Sequence, residues 1–576
     1  MMKKRFLFVT IATICLVLVA CQRNNNGGES SATTPDQSSD NVPSSSEQQP
    51  EQQYSITRPE FNGDYDTHAA TPEPFGLNMT YYSDIYSRGF AWFTDKTPSE
   101  TKLYLTQSDK GKDADFSNAT LIEGTSLEVE YNADGNCKFK DGDKDVTKKG
   151  SSNDVTLNLY SHKVHVENLE KGKAYSYKLG AEQGWSYGAF IVEKEAPKTI
   201  TAVHMSDAQT KDLTKLNVWR NTFTKAVDTA GKDLDLALYN GDQFDQNNAT
   251  GNNKKPSRVL RYTKALDVIR DYKSDIPYMA SSGNHEPSVP YINYFTGDIN
   301  YPSFKIDEKD YYGYSDSGCY YSYDYNFAHF AVLNTNDVST AQIEWLKSDL
   351  DAASNAKWKI VMMHISPYST GDHTNKSDNQ KIVEKLTPVF SEKHVDLVLQ
   401  AHDHTYNKTL PYKWDAAGYT TTYNNTDVVN LNPETETKDN IVYDKNPQGT
   451  YYVTTGAAGH RCGAPEATDG VWAEVVKNGE QWEALDSSFT YLNNKYKIEM
   501  GTIKYSNTYE PYTAKDDNKK EFTSAQSFEV GHLATGCVNA QMFGVLNLSE
   551  STMSYNVYTV NGETVKLFDS LDVLKA

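Results

Sequence analysis

The sequence predicts an α/β domain over its C-terminal two thirds, preceded by a small all-β domain. Three observations carry this. From Lys198 onward, apolar runs of strand length alternate with helical stripes, the rhythm of an α/β sheet. Between about Thr71 and Glu195 only short β-rich runs with turn punctuation occur, as in a β-sandwich. In the second block, Asp, Asn or His follows strand after strand, and ligands in open α/β sheets collect at the carboxyl ends of strands. A chain of 576 residues has room for both domains at roughly 100–200 residues each.

The elements follow in order. Lys3, Lys4 and Arg5 precede an apolar run from Phe6 to Val19, the length of a signal h-region rather than of a transmembrane helix. Leu18-Val19-Ala20-Cys21 resembles the lipobox of bacterial lipoproteins. Residues 1–20 are therefore expected to be a signal peptide and Cys21 the lipidated N-terminus. Residues 21–68 form a tether: Gln22 to Gln53 contain only Ala32 and Val42 as apolar residues, too few to offset the entropy of ordering. The expectation is an exported protein, lipid-anchored on the membrane and facing the extracellular or periplasmic side.

Residues 69–196 make the β-sandwich, with runs such as Arg88 to Thr94, His162 to Asn168 and Tyr175 to Leu179. His162 and His165 are expected to pack on or beside a strand. Residues 197–576 make the α/β domain. Strands are predicted at Ile200–His204, Asp235–Tyr239, Pro277–Ala280, Lys359–Met363, Asp396–Gln400, Thr450–Val453 and within Phe543–Val560. Helices are predicted along Leu213, Leu216, Trp219, Phe223 and Ala226, over Ser257–Tyr272, after Ser339, and near Val383–Lys393. Ser339 with Gln342 has the spacing of a capping box. A polar stretch at about 412–448 reads as an excursion from the core.

Composition excludes other classes. Acidic residues outnumber basic ones 77 to 56, for a net charge of −21, so no nucleic-acid-binding surface is expected. With 38% hydrophobic residues the chain is not a multispanning membrane protein. Cys137, Cys319, Cys462 and Cys537 sit in no CxxC pair, which gives no zinc ribbon. Disulfide pairing and buried reduced thiols both stay open for them.

The chemistry lies at the strand ends: Asp207 with Gln209, Asp242, Asn284 with His285, His364, then His402 with His404. Oxygen donors mixed with imidazoles, and no cysteine, suit borderline divalent ions such as Mn, Fe or Zn. Two metals sharing a carboxylate, typically ~3.5–4 Å apart, clamp an in-line displacement at phosphorus.

Ser206-Asp-Ala-Gln209, Gly241-Asp-Gln-Phe-Asp245, Gly283-Asn-His-Glu286, Val361-Met-Met-His364 and Ala401-His-Asp-His404 resemble the five ordered motifs of calcineurin-like metallophosphoesterases. Trp92 with Thr94, the stretch Tyr320 to Thr335, Gly449 to Gly459 and the terminal strands extend the resemblance to purple acid phosphatases. The resemblance implies an αββα metallophosphoesterase sandwich behind a fibronectin-III-like domain, and a hydrolase with two divalent metal ions. Asp207, Gln209, Asp242 and His404 would hold the first ion. Asp242 would bridge to the second, completed by Asn284, His364 and His402. His285 would touch the phosphoryl group, and a hydroxide between the metals would attack it. A phosphomonoesterase acting on small phosphate esters is the leading expectation. A phosphodiesterase or nucleotide pyrophosphatase is the alternative, and a non-catalytic surface-binding lipoprotein the second.

Two departures matter. Asp245 stands where purple acid phosphatases carry the tyrosine of GDxxY, so a purple ferric centre is not implied. It resembles the GDxxD form of protein Ser/Thr phosphatases, which implies an Asp245–His285 pair for general acid catalysis; a plain loop Asp is the other reading. Gln209 stands where many relatives have His. His373, in Thr370-Gly-Asp-His373, lies about where related acid phosphatases place a further substrate-facing His, and reads equally as an exposed loop residue.

Overall fold

The structure is a computed structural model. It describes residues 54, 56, 58, 73–94, 101–131, 157–182, 184–193, 198–210, 213–244, 258–286, 320–336, 338–368, 377–404, 406–409, 411, 433–459 and 541–575, together with short strands between 137 and 148, 303 and 319, and 475 and 536. The predicted signal peptide and Cys21 lie outside the described residues, as does nearly all of the tether.

Two sheets face each other in the N-terminal domain. One has the order Phe75–Thr80, Arg88–Thr94, Leu157–Val166, Thr125–Tyr131, Cys137–Asp141, Lys144–Lys148; the other has Gly184–Ile191, Ala174–Ala181, Lys102–Gln107, Thr120–Glu123. Their inner faces bury Leu77, Phe90, Trp92, Leu103, Val164, Tyr177 and Phe190. Both histidines of the His162 strand are packing residues. His162 lies 5.2 Å from Trp92 in a stack and bonds the hydroxyls of Thr94 and Thr101, while His165 stacks on Tyr82 at 3.8 Å.

Behind it, two larger sheets pack face to face. The first runs Tyr278–Ala280, Leu236–Tyr239, Ile200–Met205, Gln541–Leu548, Thr552–Asn561, Thr564–Leu574, Ile441–Lys445, Glu434–Lys438. The second runs Tyr321–Tyr325, Ala328–Val332, Trp358–Ile365, Leu397–Ala401, Tyr451–Thr454, Tyr406–Thr409, His532–Gly536. One continuous core joins them, with Val203, Leu238 and Val545 from the first and Phe330, Ile360 and Leu399 from the second. The helix Leu213–Ala230 covers the first sheet through Trp219 and Phe223. Thr340–Ala352, Ser377–Lys385 and Thr387–Glu392 cover the second through Leu346, Leu350, Ile382 and Phe390. This is the αββα sandwich.

Several elements differ from the sequence reading, each for a local reason. The helix expected over Ser257–Tyr272 is two helices, Arg258–Asp267 and Arg270–Lys273. At the break Val268 and Ile269 are buried, and Arg220 Nη1 donates to the Val268 carbonyl at 2.6 Å in place of a helical N–H. The helix expected near Val383–Lys393 is likewise two, and the second starts with Pro388 at its first turn, where a missing N–H costs little. Only half of the capping box forms. Ser339 Oγ accepts from Gln342 N, but the Gln342 side chain bonds the backbone of Asn334 at 2.8 and 2.9 Å. The second half of the polar excursion returns as the hairpin Glu434–Lys438 and Ile441–Lys445, which extends the first sheet at its edge.

Hydrogen bonds tie the two domains. Tyr177 Oη donates to the Ser274 carbonyl at 3.1 Å, and Gly76 N to Asp267 Oδ1 at 2.7 Å.

Candidate metal centre

Four loops and one strand end meet at one edge of the αββα sandwich. Ile200–Met205, Leu236–Tyr239 and Tyr278–Ala280 are mutually parallel, so their C-terminal ends emerge together and carry Asp207, Asp242 and Asn284 with His285. In the second sheet Trp358–Ile365 and Leu397–Ala401 are parallel and deliver His364, His402 and His404. His364 lies within its strand rather than beyond it. The pairing slips between Met362 and Ile365, and such an irregularity re-aims a side chain out of the pleat.

The loops are held in costly backbone shapes. Eleven described non-glycine residues have positive φ, and five are site residues: Asp207, Gln209, Asp242, His402 and His404. Each costs on the order of 1–2 kcal/mol, so the surroundings must over-determine them. Asp207 N donates to Gly241 O and Gln209 N to Asp242 O, both at 3.0 Å, and Ala208 N donates to Tyr239 Oη at 2.9 Å. No side chain fits at Gly283, where a Cβ would lie 2.1 Å from Asp242 Oδ1 and 2.3 Å from Asp242 N.

Among the described residues one metal-sized cluster is present: ligand atoms of Asp242, His364 and His402 all lie within 4.8 Å of one another, and all three residues are buried. His364 Nε2 is 3.4 Å from Asp242 Oδ2, 2.9 Å from Asn284 Oδ1 and 3.2 Å from His402 Nδ1. Donors about 2.1 Å from one ion stand roughly 3–3.5 Å apart, so this spacing fits a single cation. Beside it, Asp207 Oδ1 is 3.4 Å from His404 Nε2, buried and without a hydrogen bond. Its other oxygen accepts from His402 N at 3.2 Å. Gln209 Nε2 donates to Asp242 Oδ2 at 3.0 Å, so this amide addresses the carboxylate expected to bridge. His285 N donates to Asp242 Oδ1 at 2.8 Å, and its ring Nε2 stands 3.8 Å from Asp242 Oδ2.

The electrostatics ask for positive charge. Burial works against ionised Asp242, yet the imidazoles of His364 and His285 hold its carboxyl well below the usual range. Burial also lowers His364, but Asp242 outweighs it and carries the imidazole up to about 10. A divalent cation supplies the same charge and releases that proton on binding. The donor set, the spacing and the unbonded Asp207 oxygen all fit divalent ions.

Two supporting residues are given no role by the sequence reading. The Asn240 carbonyl accepts from His364 Nδ1 at 2.7 Å, which leaves Nε2 as the ligating nitrogen. Asn240 Nδ2 donates to Leu399 O at 2.7 Å and so ties the two sheets together behind the site. Glu286, the last residue of the third motif, accepts three backbone N–H bonds: Asp242 N and Gly283 N on Oε2, Gln243 N on Oε1. The expected general-acid partner Asp245 and the further histidine His373 lie outside the described residues.

Residues 200–406 match the family model of the Calcineurin-like phosphoesterase. Acid phosphatase type 7 of Mus musculus is 26% identical over 331 residues, 52% of this chain and 64% of that protein. Purple acid phosphatase 18 of Arabidopsis thaliana is 27% identical over 150 residues, 25% of this chain and 33% of that protein. The chain thus spans less than two thirds of the length of either relative. Among solved structures, a purple acid phosphatase isolated from yellow lupin (Lupinus luteus) seeds superposes with a TM-score of 0.53 at 14% identity, over 87% of this chain and 74% of that one. That likeness is one of fold.

Proposed function

We propose that this chain, a purple-acid-phosphatase-like metallophosphoesterase by sequence and fold, hydrolyses small phosphate monoesters in a metal-dependent reaction. The observation that carries the reading is the convergence of Asp242, His364 and His402 within 4.8 Å, with Asn284, Asp207 and His404 at hydrogen-bond or ion-pair distance around them.

Asp242, His364, His402 and Asn284 would hold one ion, and Asp207, His404, Gln209 and the shared Asp242 the other. Bound there, two divalent ions such as Mn, Fe or Zn supply charge neutralisation at the phosphoryl oxygens and lower the pKa of water from 15.7 toward ~7. The chain's own residues do the rest. Asn240 fixes the tautomer of His364, and the αL conformations aim Asp207, Asp242 and His402 inward from three strands. His285 is 9% exposed, so its ring reaches the edge of the buried cluster, where an ester can approach. It is the group to contact the phosphoryl oxygens and return a proton to the leaving oxygen, with Asp245 to orient it and His373 as a second substrate contact. The lipobox at Cys21 supports an exported enzyme anchored on the outer side of the membrane.

The test is release of nitrophenolate by the purified chain, stripped with a chelator and then reloaded with Mn²⁺ or Zn²⁺. Metal-restored hydrolysis of p-nitrophenyl phosphate, faster than of bis-p-nitrophenyl phosphate, is expected. A preference for the diester selects the phosphodiesterase or nucleotide pyrophosphatase reading. No hydrolysis of either ester overturns the proposal in favour of a non-catalytic surface lipoprotein.

A further inference from the structure

Glu286 is buried, 4% exposed, and lies outside the ligand cluster found among the described residues. Its carboxylate is spent entirely on backbone. Oε2 accepts from Asp242 N at 2.7 Å and from Gly283 N at 2.6 Å, while Oε1 accepts from Gln243 N at 2.6 Å. In return Asp242 Oδ1 accepts from His285 N at 2.8 Å. The loop after Leu236–Tyr239 and the loop after Tyr278–Ala280 therefore exchange hydrogen bonds in both directions, each through the carboxylate of one and the amides of the other. Glycine keeps the contact close. At Gly241 a Cβ would lie 2.4 Å from Gly283 N, and at Gly283 it would lie 2.7 Å from Glu286 Oε2. Asn336 Nδ2 closes the far side on Gly283 O at 3.0 Å.

We propose that Glu286 is a positioning residue, whose carboxylate locks the 241–243 loop against the 283–286 loop and so sets the direction in which Asp242 presents its side chain to the metal. This deepens the reading of the site as a metal-dependent phosphoesterase and rests on it. The physical reason for a carboxylate is specific. Three N–H donors converge, and a carboxylate offers acceptors on both oxygens. An amide of the same shape offers one oxygen and turns its NH₂ on a donor, which leaves a buried N–H unsatisfied. Asp242 also sits at φ 56°, a conformation that needs outside restraint to persist.

The test uses Glu286→Gln in the full chain, with Mn²⁺ binding by calorimetry as the first readout. Residues that orient metal ligands are worth ~10–100-fold in affinity, so the variant should bind Mn²⁺ that much more weakly. Its kcat for p-nitrophenyl phosphate should fall while KM stays near wild type. Glu286→Asp, which keeps both carboxylate oxygens but is one methylene short, should lie between the two. Wild-type Mn²⁺ affinity and kcat in a folded Glu286→Gln variant overturn the proposal. Should either variant fail to fold, hydrogen exchange in the metal-stripped wild type decides: slow exchange over residues 241–243 supports the lock, and exchange as fast as an open loop overturns it. Failure of the wild-type chain to bind Mn²⁺ at all sinks the underlying reading of the site instead, so the two failures are distinguishable.

Discussion

His162 in the β-sandwich and His364 in the αββα domain are both buried to within 1% of full coverage and sit on strands of similar length. Their fates are opposite. Around His162 are two threonine hydroxyls and the face of Trp92, so burial alone acts and lowers its pKa to about 4. Around His364 are Asp242, a backbone carbonyl and a second imidazole, and burial is outweighed until the ring stands at about 10. Burial therefore does not make a histidine functional. What differs is whether the fold brings an anion to it and aims one ring nitrogen at a shared point. In the sandwich the histidine is a shaped, neutral filler, and in the αββα domain it is a donor set beside a buried carboxylate.

The contrast can be broken by exchanging the demands placed on the two rings. The largest effect is expected at the site. His364→Ala removes the donor at the centre of the cluster, and kcat for p-nitrophenyl phosphate should fall by more than about 10³-fold, beyond the ~10²–10³ typical of losing one preorganised donor. A loss below tenfold in a folded, metal-loaded variant would contradict the role given to this ring.

The next effect is one of stability against pH, and its sign is that of a carboxylate with a lowered pKa, stability being lost as pH falls. The unfolded chain protonates His162 near 6.5, but the folded one does so only near 4. Stability is therefore full above about pH 6.5 and is lost as pH falls toward 4, by about 3 kcal/mol from this residue. His204, lowered by burial to about 3, adds in the same direction. Glutamine at 162 can still bond the threonine hydroxyls but cannot titrate. His162→Gln should flatten the fall in Tm between pH 6.5 and 4 and leave kcat unchanged at pH 6.5. An unaltered Tm profile would show that His162 is not the titrating group.

His329 gives the opposite slope within the same molecule. Burial lowers it, but bonds to Asp324 Oδ1 at 2.7 Å and Asp349 Oδ2 at 2.9 Å prevail and carry it up to about 9. Its contribution is complete below pH 6.5 and lost as pH rises through about 9. His329→Gln should therefore lower Tm at pH 6 more than at pH 10, and an equal loss at both would contradict the ion pairing. The smallest effect is expected at Gln209, whose amide bonds the shared carboxylate. Gln209→Ala should weaken the one ion that Gln209 is proposed to hold by about tenfold and spare the other. Equal weakening of both would mean that Gln209 acts through Asp242 alone.

Much of this was legible in the sequence because the motifs lie at strand ends, where local pattern and chemistry coincide. Leu236–Tyr239 and Leu397–Ala401 are short apolar runs followed at once by polar residues, so strand and site announce each other. What was not legible depends on partners distant along the chain. Glu286 reads as one letter of a motif, and only the fold shows it bonding amides more than forty residues away. Asn240 looks like a turn residue until Leu399 and His364 reach it from the second sheet. Gln342 has the spacing of a cap, yet a buried backbone at Asn334 competes for its side chain and wins. The strand Thr564–Leu574 is not legible because it lies half in solvent, with Leu567 exposed, and shows no clean alternation.

Metal content tests most directly whether one carboxylate, Asp242, organises the proposed two-metal site. Elemental analysis of the purified wild-type chain and of Asp242→Asn, both dialysed against the same Mn²⁺ or Zn²⁺ buffer, should find two ions per chain in the first and fewer than one in the second, with both proteins folded. Two ions retained by the Asn variant, or none bound by the wild type, would contradict the account.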